Sequence, residues 1–219
     1  MKTIEQIFGT TKIAPTVSLE QPSNALAVAE ALLNGGVNVM AIRILSRNSL
    51  KSLELISKAL PEMTAGAGAI MDAAGFLNAS IAGAKFISSP GATQELLTAS
   101  RTRYNDAHFL PGVLTPTQVM EVMTRGIDVM NLFPAEVLNG YELVKTYSHT
   151  FPSVRFTMIG GIGLNNVSLA KYLTLPNVVA VGVSEIATKD LIETANYAEI
   201  TLRAEKAMEI ARSVIEKKS

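Results

Sequence analysis

The chain has 219 residues, 48% of them hydrophobic, and its 19 basic and 19 acidic residues cancel to a formal net charge of zero. That balance offers no global field for nucleic acid or an anionic membrane surface, and the absence of cysteine excludes disulfide and thiolate chemistry. Two histidines, His108 and His149, are too few for a histidine-rich metal site, and no apolar run is long enough to span a bilayer.

Taken in order, residues 1–11 read as a short leading helix. A first strand follows at 13–19, with Ala14, Thr16 and Ser18 on one face by the two-residue period of a strand. Pro22-Ser23 opens a helix with Ser23 as its expected N-cap. Ala25, Val28, Ala29 and Leu32 form the apolar stripe of that helix, and Gly35-Gly36 ends it. A second strand is expected at 39–45 and a helix at 49–60, closed by Pro61. The third strand covers 65–71, where Gly66-Ala67-Gly68 lets backbones approach closely. A helix at 74–82 ends at Gly83, and a fourth strand at 85–89 stops at Pro90-Gly91. After a helix around 94–99 comes a fifth strand at 108–114, interrupted by Pro111-Gly112. Thr115-Pro116 starts the next helix with proline at its first position.

The sixth strand carries the densest signal. Val129, Asn131 and Phe133 alternate onto one face, and Pro134 ends the ladder because it has no N–H to donate. A lone polar Asn131 just before that stop points at a pocket, or at an amide hydrogen-bonded inside a filled barrel. A helix at 141–149, a seventh strand at 155–159, a helix at 165–172, an eighth strand at 178–183 and a closing helix at 200–215 complete the chain. Ala204, Ala207, Ala211 and Val214 form the stripe of the last helix.

Eight mostly apolar strands thus alternate with helices over 1–219 without a linker, as expected for a single-domain α/β protein with strands buried on both faces. Right-handed crossovers of that number close into a (β/α)8 barrel; a doubly wound open sheet is the alternative. In such a barrel the site lies at the carboxyl ends of the strands. Gly160-Gly161-Ile162-Gly163 follows strand seven and Gly182-Val183-Ser184 ends strand eight. Two glycine-containing turns there can aim backbone N–H groups at a phosphate, although tight βα turns need the same glycines. On strand two, Ala41, Arg43 and Leu45 share a face, so the Arg43 guanidinium can enter the pocket and meet a carboxylate or phosphate. It can equally reach solvent or pair with an acid such as Glu136.

The run Asn131-Leu132-Phe133-Pro134-Ala135-Glu136 resembles the Lys-Phe-Phe-Pro-Ala-Glu signature of the 2-keto-3-deoxy-6-phosphogluconate (KDPG) and 4-hydroxy-2-oxoglutarate aldolases. The resemblance extends over nearly the whole chain and implies a barrel, a homotrimer and a lyase label. It puts Asn131 at the position of the family's Schiff-base lysine and Ala41 at that of its acid/base glutamate. Leu45, Ala69 and Ile159 stand where the family holds the substrate with Arg, Thr and Thr. Gly160, Gly161, Gly182 and Ser184 match its phosphate-holding segments, and Glu185 replaces a frequent Trp. An amide cannot form an imine with a ketone. Lys12, Lys85, Lys145 and Lys171 sit at the far end of strands or on helices, so a relocated Schiff base is not expected.

Three readings follow. The first is a cytoplasmic, cofactor-free barrel that binds a phosphorylated or carboxylated small molecule, with Phe133 also lining the site, but lacks class I aldolase activity. The second is an enzyme of different chemistry using Arg43, Asn131 and Glu136 or Glu185. The third is a structural or re-engineered trimeric scaffold with a filled mouth.

Overall fold

Val39 and Ala41 face one apolar cluster while Met40 and Ile42, between and beside them, face another. This alternation organises the computed structural model, which describes residues 3–9, 12–101 and 107–216. Its strand segments are β1 (Thr16–Val17), β2 (Val39–Arg43), β3 (Thr64–Gly68), β4 (Phe86–Ser88) and β5 (His108–Leu110). They continue as β6 (Gly112–Val113), β7 (Val129–Leu132), β8 (Arg155–Met158) and β9 (Val178–Val181). All pair in parallel, in the orders β1-β2-β3-β4-β5 and β6-β7-β8-β9.

Both seams between these two sheets are closed. β5 and β6 are halves of one barrel strand, split at Pro111, which lacks the N–H to continue the ladder but accepts from Asn131 N through its carbonyl at 2.9 Å. At the other seam Ile13 bridges Val181, Ala14 N donates to Val181 O at 3.0 Å, and Val181 N donates to Lys12 O at 2.8 Å. The fold is therefore a (β/α)8 barrel, and the open-sheet alternative is excluded.

The helices are α1 (Ile4–Phe8), α2 (Ala25–Asn34), α3 (Arg47–Ala59), α4 (Ala73–Ile81) and α5 (Gln94–Ala99). After them come α6 (Pro116–Met123), α7 (Gly140–Thr150), α8 (Asn166–Leu173), α9 (Lys189–Glu193) and α10 (Tyr197–Glu216). Of the expected leading helix, Met1, Lys2, Thr10 and Thr11 lie outside the described residues. Local chemistry sets the starts of several helices: the side chains of Ser46, Asp72, Thr93, Thr115 and Asn165 accept from the first-turn N–H groups. Ser23 is a correction. A 3-10 turn at Pro22–Asn24 precedes α2, and Ser23 Oγ donates to Asn24 Oδ1 at 3.4 Å instead of capping. The stripe Ala204, Ala207, Ala211 and Val214 is buried as expected. No helix among the described residues is long and apolar enough to cross a membrane.

The barrel interior is filled from below. Ile4, Ile7 and Phe8 of α1 pack with Val39, Ala41, Phe86, Leu110 and Val129 in one inner cluster. The Phe8 and Phe86 rings stand 5.2 Å apart. A Cβ on Gly66 would meet the Phe86 ring at 2.3 Å, so only glycine lets that ring lie across β3. This plug leaves the opposite end of the barrel, at the carboxyl ends of the strands, for a site.

Candidate functional site

At that end lies a cavity of about 310 Å³. β7 contributes Asn131, only 3% exposed, and Phe133 at its rim. Strand alternation places both, with Val129 below them in the apolar plug. Asn131 Nδ2 donates to Ser89 O at 3.3 Å, and Thr157 Oγ1 donates to Asn131 Oδ1 at 3.3 Å. The amide is thus fixed in orientation, yet keeps one N–H and one lone pair for a ligand. Asn131 is both hydrogen-bonded and cavity-lining, which combines the two readings its position allowed. The open cavity also departs from the filled mouth expected of a purely structural barrel.

The β8 and β9 ends form the glycine wall. Gly160 and Gly161 adopt φ of 110° and 81°, conformations that β-carbon-bearing residues rarely take. The turn is tied to the end of β7 by Ala135 N to Ile159 O at 2.9 Å and Glu136 N to Gly160 O at 2.8 Å. The N–H groups of Gly160, Gly161 and Ser184 make no hydrogen bond among the described residues. Gly182, Ser184 and Ile159 line the same cavity. Unpaired backbone N–H groups at glycine turns of this kind can serve an anion.

Arg43, at the end of β2, also lines the cavity, is exposed, and has no partner among the described residues. It is the one charged group in a lining that otherwise holds no carboxylate, amine, imidazole or phenol among the described residues. Ala69 lines it too, with a left-handed φ of 60°.

Two expected positions fall elsewhere. Leu45 is 54% exposed and outside the cavity. β2 ends at Arg43, and the chain then turns into the cap of α3, with Leu45 N donating to Ser49 Oγ at 3.0 Å. The two-residue period stops with the strand. Ala41 is buried in the barrel plug, two residues before Arg43, and does not reach the cavity wall.

The acids considered as proton carriers point away. Glu136 accepts from Lys171 Nζ and from the Tyr172 hydroxyl, each at 2.7 Å, behind the glycine wall. Partial burial pushes its carboxyl up, but these two hydrogen bonds and the Lys171 charge outweigh that and hold it below the usual range. Tyr172 is driven well above its ordinary value by burial and by Glu136. Glu185 Oε2 accepts from Leu164 N at 2.6 Å and does not line the cavity. Lys12 Nζ donates to Val178 O at 3.0 Å, towards the plugged end, and Lys145 pairs with Glu142 on α7.

Thr16, Gly68, Ser88, Ser89 and Pro90 also line the cavity but were not expected there from the sequence. Thr16 belongs to the Ala14, Thr16, Ser18 face of the first strand. Ser88-Ser89 precedes a strand-stopping proline, the same signal that marked Asn131 before Pro134.

Residues 4–203 match the family model described as KDPG and KHG aldolase. The chain is 32% identical to the 2-dehydro-3-deoxy-phosphogluconate aldolase of Pseudomonas aeruginosa, over 94% of this chain and 92% of that one. A structure of KDPG aldolase from Legionella pneumophila, with pyruvate captured as a covalent carbinolamine, superposes with a TM-score of 0.86. That match has 32% identity and covers 93% of this chain and 97% of the other. The Zymomonas mobilis ZM4 aldolase with 3-phosphoglycerate gives a TM-score of 0.84 at 30% identity, covering 95% and 96%. With the family model, these relatives and the barrel in agreement, the chain belongs to the KDPG and KHG aldolase family.

Proposed function

We propose that this barrel binds a phosphorylated or carboxylated small molecule at its mouth without the Schiff-base chemistry of its relatives, as a cytoplasmic homotrimer. The observation that carries the proposal is Asn131, a buried amide on β7 at the position that the Phe-Pro-Ala-Glu resemblance matches to the family's lysine, in a cavity lined by no amine among the described residues. An amide nitrogen, delocalised into its carbonyl, does not add to a ketone, so the electron sink of a class I aldolase is missing. The Legionella relative was captured with pyruvate bound covalently; among the described residues this cavity offers no amine for that bond. Anion binding is supported by the N–H groups of Gly160, Gly161 and Ser184 and by Arg43, all without a partner among the described residues. A different chemistry in the same pocket has less support, because general acid/base catalysis needs a proton carrier beside the reacting atom. Glu136 and Glu185 are engaged elsewhere. The homotrimer is supported by exposed Met71, Leu77 and Ile81, apolar side chains in and just before α4 that a subunit contact would cover.

Incubation with pyruvate and borohydride, followed by intact mass measurement, tests the central claim. The mass should be unchanged. A stable pyruvyl adduct on any lysine would refute it.

A further inference from the structure

The cavity carries an apolar belt just beyond the strand ends. Ala69 follows β3, Phe133 follows β7, Ile159 follows β8, and Pro90 comes two residues after β4; all four line the cavity. Asn131 and Thr157 are register partners on β7 and β8, and Phe133 and Ile159 follow them two residues nearer the mouth. Gly182 makes room for Ile159, since an ideal Cβ there would stand 3.0 Å from Ile159 Cγ1. Phe133 and Pro90 are exposed, and Ala69 and Ile159 are half-buried, so the belt offers apolar surface to whatever enters.

Most polar side chains of the lining are withdrawn. Thr16 Oγ1 is fully buried. Ser88 and Ser89 are buried, and their hydroxyls donate to Ala67 O at 3.5 Å and to Gly91 O at 2.6 Å. Asn131 keeps a single N–H and a single lone pair at the floor. Arg43 and Ser184 are exposed, and with the Gly160 and Gly161 N–H groups they suit an anion. A hydroxyl on the ligand's body, set against the belt, would leave water without gaining a partner, which costs free energy. A methylene in the same place is stabilised by leaving water.

We infer that the cavity takes a phosphate monoester whose body is apolar and carries no hydroxyls, with Ile159 as a specificity-determining residue. The inference rests on the anion-binding reading above and deepens it by naming the body attached to the anion. The phosphate oxygens accept from the glycine turns and Arg43, while the body lies against Ile159, Phe133 and Ala69.

Calorimetric titration of the full chain with propyl phosphate and glycerol 3-phosphate tests this. The two esters share a phosphate and a three-carbon chain and differ by two hydroxyls. The wild type should prefer propyl phosphate by about tenfold or more, the scale of leaving one hydroxyl unpaired. Ile159→Thr and Ile159→Val give side chains of the same shape, one with a hydroxyl in place of a methyl. Ile159→Thr should cut the preference by about threefold or more, because its hydroxyl gives the glycerol ester a partner, and Ile159→Val should keep it within about twofold. Equal wild-type affinities, a preference for glycerol 3-phosphate, or a Thr variant that discriminates as well as the Val variant would overturn the inference and leave anion binding standing. The wild-type comparison decides the ligand class whether or not the variants fold. A wild type that binds neither ester nor inorganic phosphate would overturn both readings.

Discussion

Ala69 stores strain at the rim of the cavity. Its φ of 60° belongs to the left-handed region, where a β-carbon crowds the following carbonyl. Replacing it with glycine should raise stability by up to about 1 kcal/mol, the crowding relieved less the entropy of a freer unfolded chain. Ala69→Thr, which installs the family's expected residue, should lower stability by about 1–2 kcal/mol because branching at Cβ worsens the clash. Denaturant midpoints at unchanged slope measure both. A Thr variant as stable as the wild type would mean that the backbone around Ala69 relaxes freely. Residue identity at the cavity was legible where a strand rule reached it: Val129, Asn131 and Phe133 alternate, and Pro134 marks the end. It was not legible at Leu45, where the rule was carried past the end of β2. The missed sign was Ser46 with Ser49 three residues on, which form the capping box of α3 and pull the chain out of the strand. The handedness of Ala69 left no trace in the sequence, since alanine does not advertise a positive φ.

Between elements, the end of β7, the β8 turn and α8 are joined through Glu136. Its backbone N–H holds Gly160 O, and its carboxylate holds Lys171 and Tyr172 of α8. The carboxyl titrates below its ordinary 4.5 in the folded protein. It therefore contributes stability that is fully present above the unfolded value and is lost as pH falls through the folded one. Glu136→Gln should cost about 1–2 kcal/mol at neutral pH, the worth of a charged hydrogen bond. The difference from wild type should shrink as pH drops below 4.5. Unfolding curves at pH 7 and at pH 3 check this, and a gap that stays constant between them would rule out the ionised carboxylate as its source. Sequence spacing placed Glu136 beside the pocket but left its direction open. That direction depends on Lys171 and Tyr172, contacts 35 and 36 residues away, which no local pattern encodes.

At the scale of the whole molecule, closure of the barrel was legible from the alternation of strands and helices, and Pro111 was visible as an interruption. Which end of the barrel is full was not, because it depends on α1 docking Ile4, Ile7 and Phe8 against Phe86. That plug gives the scaffold a floor on which aldolase chemistry can be rebuilt. Asn131→Lys alone should react poorly with pyruvate, because the amine would have no acid/base partner in a lining without carboxylates among the described residues. Adding Ala41→Glu starts a carboxylate from the plug position two residues before Arg43, where only the longer side chain can extend to the cavity that Ala41 does not reach, and Ile159→Thr adds a hydroxyl beside the glycine wall. Arg43 should be kept, since Leu45 lies outside the cavity and cannot be replaced usefully by arginine. Position 69 should also be left alone, because its backbone disfavours threonine. The triple variant should trap pyruvate on the introduced lysine under borohydride at least tenfold faster than the single variant, on the order of one well-placed acid/base group. Light scattering on both variants, against the wild type, controls for assembly. Equal trapping by the single and triple variants would show that residues 41 and 159 do not serve this cavity. No trapping by a triple variant that folds and assembles like the wild type would mean that position 131 cannot present an amine to the cavity, and that its equivalence to the family's lysine is mistaken.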